Sequence, residues 1–420
     1  MRSVCIIVAL LLAPRPTAGA ELEIETRIPE QHDWRDFGWV LSTGEEGEWD
    51  RHLGGMLTAS TAKRNGIYFL YYGGACCYDD PLDSVTFRAI GVATSTDGIR
   101  FSKHPENPII SWLPNNGREE GATSSAVATD ATERTILYFG ANTQETRTTV
   151  NADARIGLSR DGLAFADQGI ALHHRDRMVW GSGDEIFPII ALRHEDLWAL
   201  YYLTNGVPQQ RHLGVAWGRR FDQLTESRAA KASGRLVPVW GVGGGAVRLG
   251  AETYALFLND LRIPRTEVRT VQVDSPHLLS EPAQTYRWPE VKQVTVLLDS
   301  EVATWFMYYR DAEQQHYGVK LAPAGEPDAT PPSSPGSLAA EMIDATGIRL
   351  TWSHSTDSET GVAQYIIYRD SERVDATARE SVHDFRLRPE TTYAYQVSAV
   401  NFHGLESPLS SPLTVRTLRP

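Results

Sequence analysis

The stretch Phe69-Leu70-Tyr71-Tyr72-Gly73 decides the fold, because its aromatic pattern returns four more times along the chain. The four recurrences are Ile136-Leu137-Tyr138-Phe139-Gly140, Ala199-Leu200-Tyr201-Tyr202-Leu203, Ala255-Leu256-Phe257-Leu258-Asn259 and Phe306-Met307-Tyr308-Tyr309-Arg310. Their central aromatic residues, at positions 71, 138, 201, 257 and 308, are separated by 67, 63, 56 and 51 residues. A repeat of roughly this length is typical of a fold that uses one structural unit several times.

Each repeat contains the same order of segments. An apolar stretch such as Ala126–Ala128 comes first, and a turn, the aromatic strand and a third strand such as Ala89–Ala93 follow. In two repeats an Asp-Gly pair, Asp97-Gly98 or Asp161-Gly162, makes a turn into a fourth strand. Four antiparallel strands per unit, repeated radially, are the blades of a β-propeller. The pattern therefore predicts an all-β fold with a five-bladed β-propeller over residues 21–322.

The fifth repeat has no obvious fourth strand before the chain leaves the propeller. Either Phe37–Leu41 or Leu22–Ile24, both near the N-terminus, could supply that strand and close the ring. A single large β-sandwich is the alternative fold, but five recurrences at similar spacing favour the propeller. The absence of a long amphipathic helix excludes TIM-barrel and Rossmann folds. Gly241–Ala246 matches a dinucleotide-binding glycine pattern but lies between two strands, so we interpret it as the tight start of the fourth blade.

A proline-rich segment separates the repeats from a smaller C-terminal unit. Residues 323–337 are predicted to form a semi-rigid linker, because five of the sixteen residues from Ala322 to Ser337 are proline. Short strands with period-two alternation follow, and they predict a β-sandwich over residues 338–420. This unit resembles a fibronectin type III domain in its early Trp352, its Leu387-x-Pro389-x-Thr391-x-Tyr393 corner and its Gly404–Ser410 segment. The resemblance implies a spacer or docking role.

The composition is that of an acidic globular protein. The 420 residues are 41% hydrophobic and 22% charged, and 53 acidic against 40 basic residues give a net charge of −13. Phosphate binding needs a basic surface, so this balance argues against a nucleic-acid partner and against docking on anionic lipid. The 12 histidines show no metal-ligand spacing, and we predict neither a metal nor any other cofactor. The sequence leaves the oligomeric state open.

Residues 1–20 have the pattern of a cleaved signal peptide. Arg2 precedes the short apolar run Cys5–Ala13, and Ala18-Gly19-Ala20 has the small residues of a cleavage site. Because no later stretch is long and apolar enough to span a membrane, we predict a secreted or periplasmic protein without membrane insertion. Cleavage leaves the adjacent pair Cys76-Cys77, either as a vicinal disulfide or as two free thiols.

Acidic residues precede the first strands of three successive repeats, where a propeller brings the starts of its strands to one mouth of the central channel. These acidic candidates are Asp50, Glu120 and Glu185, with Asp184 beside the last. Tryptophans that could stack on sugar rings in the same region are Trp180, Trp240 and Trp288. Glycoside hydrolysis needs one protonated and one ionised carboxyl group across the scissile bond, and a third acid can keep those two states apart. The pattern therefore favours a carbohydrate substrate.

This arrangement resembles the five-bladed propeller glycosidases of families 32, 43 and 117. The resemblance implies that Asp50 is the base or nucleophile, Glu120 the pKa-modulating acid and Glu185 the general acid. Its most specific part is Glu185-Ile186-Phe187-Pro188, which is similar to the Glu-x-Pro stretch of family 32. The sequence departs from the pattern in three places, one of which is that the fifth blade has no clear channel histidine. Leu57 stands where families 32 and 43 have the first acid, and the second blade has Glu instead of Asp.

Each candidate also has an interpretation without chemistry. Asp50 could cap a turn, Glu119 and Glu120 could be a solvated pair, and the tryptophans could pack between blades. Arg310 and Asn259 occupy places where a rim contact with substrate would come. On the sequence alone, both the functional and the purely structural interpretation of these residues remain open.

Three functions compete on these observations. The first is an exported glycoside hydrolase that cleaves a poly- or oligosaccharide at the channel mouth. The second is a non-catalytic carbohydrate-binding propeller with a degenerate site. The third, a sialidase, needs six blades and Ser-x-Asp-x-Gly-x-x-Trp boxes. The stretches around Asp97 and Asp161 are Ser-x-Asp-Gly instead, so we interpret both aspartates as turn residues.

Overall fold

The computed structural model describes residues 26–45, 48–51, 59–76, 87–111, 121–146, 149–173, 186–206, 210–226, 243–260, 265–311 and 316–420. Regular structure in these ranges consists of 28 β-strands and one 3-10 turn, Gln31–Asp33. The predicted all-β class is therefore confirmed. No helix in these ranges has the length and hydropathy needed to cross a membrane. The predicted signal peptide, the candidate strand Leu22–Ile24, Leu57 and Cys77 lie outside the described residues.

Strand β1 (Arg35–Ser42) is followed by five groups of antiparallel strands. The first group comprises β2 (Ser60–Arg64), β3 (Ile67–Cys76), β4 (Phe87–Ser95), β5 (Ser102–Lys103) and β6 (Ile110–Ser111). The second comprises β7 (Gly121–Thr129), β8 (Thr135–Thr146), β9 (Thr149–Ser159) and β10 (Ala166–Leu172). The third comprises β11 (Ile186–His194), β12 (Leu197–Gly206), β13 (Gln210–Gly218) and β14 (Thr225–Glu226). The fourth comprises β15 (Gly244–Arg248), β16 (Thr253–Asp260), β17 (Arg265–Gln272) and β18 (Gln284–Tyr286). The fifth comprises β19 (Val291–Asp299), β20 (Thr304–Asp311) and β21 (His316–Pro323).

The N-terminal strand β1 completes the fifth group. It pairs antiparallel with β21, so that the strand order of this sheet is β1-β21-β20-β19. Of the two expected closing segments, Phe37–Leu41 is the one that lies in β1. The first and second groups share one sheet through a single parallel pair, Arg88 opposite Gly121, whereas the third and fourth groups are separate four-stranded sheets.

The first strands of the five groups form a closed cycle of contacts. Strand β2 contacts β7, β7 contacts β11, β11 contacts β15, β15 contacts β19, and β19 contacts β2 again. Neighbouring first strands pack closely, since the Ser60 hydroxyl at the start of β2 is 3.0 Å from the Ser125 hydroxyl in the middle of β7. This cycle surrounds the centre of the domain.

The repeated aromatic residue is buried and joins each group to the next. Its side chain is at most 1% exposed in all five repeats. In four repeats the phenol donates a hydrogen bond to a backbone carbonyl of the following group. The pairs are Tyr71 with Gly162 (2.9 Å), Tyr138 with Phe221 (2.8 Å), Tyr201 with Pro276 (2.7 Å) and Tyr308 with Gly98 (3.0 Å). The last pair joins the fifth group to the first, so the hydrogen bond that recurs in successive repeats also connects the last group with the first.

Glycines allow the fourth and fifth groups to approach each other at the centre. A Cβ atom on Gly245 in β15 would lie 2.6 Å from the backbone nitrogen of Val296 in β19. Gly243, just before β15, has a φ of +128°, a conformation that favours glycine. The described part of the Gly241–Ala246 stretch therefore begins an inner strand, as the sequence analysis proposed.

We expect Gly245→Ala to destabilise the protein by about 1–3 kcal/mol, because the new methyl group would overlap backbone that cannot rotate away. Gly250, in the turn after the same strand, has open space around its Cβ position and no positive φ. Gly250→Ala is thus the matched control and should leave stability unchanged or raise it by about 0.4–1 kcal/mol. Urea unfolding followed by tryptophan fluorescence measures both, and equal stability of the two variants would contradict the close approach of β15 and β19.

The C-terminal residues form two packed antiparallel sheets. One contains β22 (Gly336–Ile343), β23 (Gly347–Ser353) and β26 (Ser381–Phe385). The other contains β24 (Val362–Arg369), β25 (Glu372–Thr377), β27 (Thr392–Asn401) and β28 (Leu413–Arg416). Trp352, Tyr365 and Tyr395 are buried between them. The Tyr393 hydroxyl accepts a hydrogen bond from the Arg388 amide at 3.0 Å, which explains the corner pattern in the sequence.

The C-terminal sandwich packs directly on the strand groups. Phe402 lies 5.9 Å from Phe306 between ring centroids, within one buried apolar cluster that includes residues of both parts. His403 adds a polar contact, because its Nδ1 accepts from the Asp328 amide (2.7 Å) and its Nε2 donates to the Ala303 carbonyl (3.2 Å). Asp328, inside the predicted linker, is itself 8% exposed and accepts a hydrogen bond from Asn401. The two parts are therefore docked together.

His403 should make this docking pH-dependent. Burial lowers the pKa of His403 below its ordinary value of 6.5, so the unfolded chain takes up a proton before the folded chain does. Its contribution to stability is therefore present above about pH 6.5 and is lost as the pH falls below that value. We expect the melting temperature of His403→Asn to fall less between about pH 7 and pH 5 than that of the wild type. His32→Asn, which changes a 77% exposed histidine, is the control; an identical pH profile for all three proteins would contradict this role.

Candidate functional site

Two of the three acidic candidates immediately precede first strands of the ring. Strand β7 begins at Gly121, directly after Glu120, and β11 begins at Ile186, directly after Glu185. These two strands contact each other. The other candidates Glu119, Trp180, Asp184 and Trp240, like Glu120 and Glu185 themselves, lie outside the described residues.

Buried polar groups collect near the starts of the first strands. Gln293 on β19 is paired in register with Arg310 on β20, and both side chains are at most 2% exposed. Arg310 is thus inside the structure and not on an exposed rim. Burial lowers the pKa of its guanidinium, and the opposing influence of Asp311 is smaller. Asn259, at the equivalent place on β16, is fully buried and donates to the Thr266 hydroxyl at 3.2 Å.

Asp50 is the acidic candidate that the structure describes, and its carboxylate is enclosed. It is 2% exposed and forms an ion pair with Lys103 at 2.7 Å. The Tyr72 hydroxyl donates to the same oxygen at 3.2 Å, and burial, followed by the charge of Asp50, raises the pKa of Tyr72 so that the phenol keeps its proton. These partners lie on β3 and β5, outward of the first strand β2. Asp50 is therefore held by a cation and a phenol over the outer strands of the first group.

Two glycines make room for this segment. A Cβ atom on Gly74 in β3 would lie 2.5 Å from the ring of Trp49, and one on Gly91 in β4 would lie 2.7 Å from it. Trp49 also stacks on Tyr72, with ring centroids 5.7 Å apart. The sequence Trp49-Asp50 therefore occupies a slot formed by small residues, with the tryptophan stacked on the tyrosine that binds Asp50.

Trp288 packs within the protein. Its ring stacks on Tyr286 at 5.0 Å and meets Trp34 edge-on at 6.5 Å, between the fourth and fifth groups. The Lys320 ammonium lies 5.4 Å from the ring centre. These contacts fit the interpretation of Trp288 as a residue that packs between blades.

Asp97 and Asp161 are turn residues, as the sequence analysis proposed. Asp97 Oδ1 accepts from the amides of Ile99 (2.9 Å) and Arg100 (2.8 Å), and Asp161 Oδ1 accepts from the two equivalent amides. Backbone hydrogen bonds lower the pKa of Asp161. At Asp97 burial alone would raise the pKa, but the backbone hydrogen bonds and those from the Arg100 and Ser95 side chains together lower it. Both carboxylates are thus used in capping the turn into the fourth strand.

A charged network on β1 and β21 was not predicted from the sequence. Lys320 is 5% exposed and contacts Asp36 at 2.8 Å and Glu290 at 3.1 Å. The Tyr309 hydroxyl donates to Asp36 at 2.7 Å. A lysine within the otherwise apolar stretch Val319–Ala322 was the signal that could have pointed to it, since a buried ammonium needs anionic partners. In the ranges that the structure describes, no cluster of three or more His, Cys, Asp or Glu side chains could hold a metal ion.

Comparison with known proteins identifies the C-terminal part. Residues 333–416 match the family model described as Fibronectin type III domain. Exoglucanase B of Cellulomonas fimi is 40% identical over 95 residues, which are 22% of this chain and 9% of that protein. Chitinase Chi52 of Paenibacillus xylanexedens is 38% identical over 91 residues, 22% of this chain and 17% of that protein. The chain thus spans less than a fifth of the length of either relative.

A solved structure is similar over most of the chain. It is a glycosyl hydrolase from Bacteroides ovatus, 14% identical, with a TM-score of 0.48, and the match covers 72% of this chain and 98% of that one. The family assignment therefore applies to the C-terminal part of the chain: residues 333–416 are a fibronectin type III domain.

Proposed function

We propose that this chain is an exported glycoside hydrolase that cleaves glycosidic bonds of a poly- or oligosaccharide. In this proposal residues 1–20 are a signal peptide, 21–322 a five-bladed β-propeller, 323–337 a linker and 338–420 the fibronectin type III domain. The closed cycle of the five first strands and the Tyr308–Gly98 hydrogen bond support a ring of five blades. The named relatives of the fibronectin type III domain, an exoglucanase and a chitinase, support a polysaccharide substrate.

One observation carries the proposal. Glu120 and Glu185 directly precede two first strands, β7 and β11, that contact each other. In a propeller we expect the starts of such strands to lie at one channel mouth, which would bring the two carboxyl groups to the same place. Two carboxyl groups, one protonated and one ionised, are the minimum that glycoside hydrolysis requires.

The proposed chemistry assigns one role to each acid. Glu185 donates its proton to the glycosidic oxygen while the bond from that oxygen to the anomeric carbon breaks. Asp50 removes a proton from the attacking water, and Glu120 keeps the ionisation states of the other two groups apart. If the two carboxyl groups are about 6.5–9.5 Å apart, this water attacks the anomeric carbon directly and the configuration inverts. At about 5–5.5 Å Asp50 would instead bond to the anomeric carbon as the leaving group departs, and water activated by Glu185 would then break that bond, with retention.

Asp50 has two competing roles in this scheme. A general base must offer a carboxylate oxygen to water, and Asp50 Oδ2 lies 2.7 Å from the Lys103 ammonium. It must also reach a water molecule beside the sugar, and a carboxylate that is 2% exposed and lies over β3 and β5 is poorly placed for this. The same contacts fit a structural ion pair that anchors the segment around Trp49. Loss of the Asp50 carboxylate would reduce activity if Asp50 is the base, whereas it would reduce stability but not the activity of the folded protein if the pair is structural.

A non-catalytic carbohydrate-binding propeller is the second candidate function. The enclosure of Asp50 favours it, because a site whose base has become a structural residue would bind sugars without cleaving them. The two candidate functions differ in whether a bound glycan is cleaved into products, because both of them include binding of the glycan.

The proposal is tested by incubating the purified full-length chain with a panel of plant, algal and microbial polysaccharides and aryl glycosides. We expect release of reducing ends or of the aryl group from at least one substrate class. Glycan-array binding measured in parallel separates the two candidates. Binding to a glycan with no product from that same glycan would reject hydrolysis in favour of the binding propeller.

A further inference from the structure

An exposed tryptophan lies beside the junction between the strand groups and the fibronectin type III domain. Trp39 on β1 is 55% exposed, whereas its strand neighbours Val40 and Leu41 are buried. Its ring stacks on that of His316 at 5.1 Å and is tilted against Tyr309 at 6.3 Å. A large indole held in one orientation with one face open is suited to stack on a flat apolar ligand surface.

A bulge in β1 presents this ring outward. The pairing with β21 is irregular on both sides of Trp39, and Gly38 has a φ of +85°. The Gly38 amide donates to Asp36 Oδ1 at 2.8 Å, and Lys320 and Tyr309 hold the other oxygen of the same carboxylate. Bulges commonly re-aim a side chain at a functional place. Here a charged network centred on the buried Lys320 fixes the bulge that carries the exposed ring.

A groove runs along both sides of the ring. Between β1, the turn of the first group and strands β24 and β25 it encloses about 730 Å³. A second depression of about 390 Å³ shares Trp39, Val40 and Phe101 with it and ends at Lys103. The fibronectin type III domain forms one wall of the larger part, so the groove depends on the docking described above.

The groove is basic although the whole chain carries a net charge of −13. Arg100, Arg373 and Arg379 line it and are exposed. Two aspartates, Asp36 and Asp375, line it as well, and Asp36 shares the Lys320 ammonium with Glu290, so three arginines stand against two aspartates. Arg100 also pairs with Asp97, which leaves the two arginines of the fibronectin type III domain as the main source of positive charge.

We propose that this groove binds a strand of an anionic polysaccharide, with a sugar ring stacked on Trp39 and its carboxylate or sulfate groups facing Arg373 and Arg379. Arginine suits this task because its planar fork pairs with carboxylate and sulfate groups. None of the residues that line the groove is a proposed catalytic acid, and binding there needs no cleavage, so the proposal does not depend on the proposed hydrolysis. It assigns the fibronectin type III domain a share in a ligand site instead of a spacer role alone.

Affinity electrophoresis and calorimetry of the full-length chain test the groove with three defined probes: dextran sulfate, polygalacturonate and uncharged dextran. We expect at least one anionic probe to bind the wild type at least about tenfold more tightly than dextran, a difference of about 1.4 kcal/mol. Binding of dextran sulfate alone identifies a sulfate site, and binding of polygalacturonate identifies a carboxylate site. Equal affinity for dextran and both anionic probes would overturn the proposal.

Matched variants locate the binding. Trp39→Ala and the double variant Arg373→Gln/Arg379→Gln should each weaken binding of the anionic probe at least about tenfold. The controls are Phe385→Ala, a 62% exposed aromatic outside the groove, and Arg219→Gln/Arg419→Gln, whose arginine side chains are 83% and 81% exposed. Unfolding midpoints confirm that each variant is folded. Wild-type affinity in Trp39→Ala, or equal losses in test and control arginine variants, would contradict a site in this groove.

Discussion

Replacing Glu185 with Gln is expected to lower kcat/KM for polysaccharide hydrolysis by about 10²–10⁴-fold, the usual contribution of a positioned general acid. Glutamine has nearly the same shape but cannot donate a proton to the glycosidic oxygen. The loss should therefore appear mainly in kcat, while KM changes little. A dinitrophenyl glycoside has a leaving group that needs no protonation, so its hydrolysis should fall much less in the same variant.

Glu195→Gln is the matched control for this experiment. Glu195 lies in the exposed turn between β11 and β12, at the far end of the strand that follows Glu185. This variant should keep wild-type activity on both substrates. Near-wild-type hydrolysis of polysaccharide by Glu185→Gln would remove Glu185 from the mechanism.

The Asp50–Lys103 pair should show an asymmetric response in stability. Lys103→Met leaves the buried Asp50 carboxylate with the Tyr72 hydroxyl as its remaining partner among the described residues, which should cost about 3–5 kcal/mol of unfolding free energy. Asp50→Asn removes the buried charge and leaves Lys103, whose side chain is 32% exposed, free to turn to solvent. The lost hydrogen bonds then cost about 1–3 kcal/mol. The double variant should be less destabilised than the sum of the two single variants, because each removes the same interaction.

Activity of the same variants decides the role of Asp50. If Asp50 is the base, Asp50→Asn loses turnover at temperatures where it is fully folded, and Lys103→Met keeps a measurable part of it. If the pair is structural, all three variants keep the specific activity of their folded fraction. Denaturant unfolding and activity measured on the same samples give both answers. Equal destabilisation by the two single substitutions would contradict the enclosure of Asp50.

The fold was largely predictable because one side chain performs the same task in each repeat. The aromatic at positions 71, 138, 201 and 308 is a tyrosine that fills the space between groups and donates a hydrogen bond to a carbonyl of the next group. Because every repeat must pack against the next one, the same residue type recurs at this position. Phe257 keeps the packing without the hydrogen bond, which is why the pattern remains recognisable there. The closing strand was left undecided, since either N-terminal segment has strand character and only the pairing of β1 with β21 distinguishes them.

The candidate site was less predictable, because its contacts join residues that are distant in sequence. No sequence feature near Asp50 predicts that Lys103 is its partner. Likewise, no feature near the prolines of the linker predicts that Asn401 and His403 bind Asp328. Burial of Arg310 likewise depends on strands on both sides of β20. Turn chemistry is local, and for that reason the roles of Asp97 and Asp161 followed directly from the sequence.

The central claim, that this chain hydrolyses glycosidic bonds, is tested most directly by running the reaction in heavy-oxygen water and measuring products by mass spectrometry. Hydrolysis breaks the bond at the anomeric carbon and inserts one oxygen atom from water there. We predict prompt incorporation of one heavy oxygen atom at the new reducing end in the wild type, and no labelled product with Glu185→Gln over the same time. Products without the heavy atom, or no product from any member of the polysaccharide panel, would contradict the account.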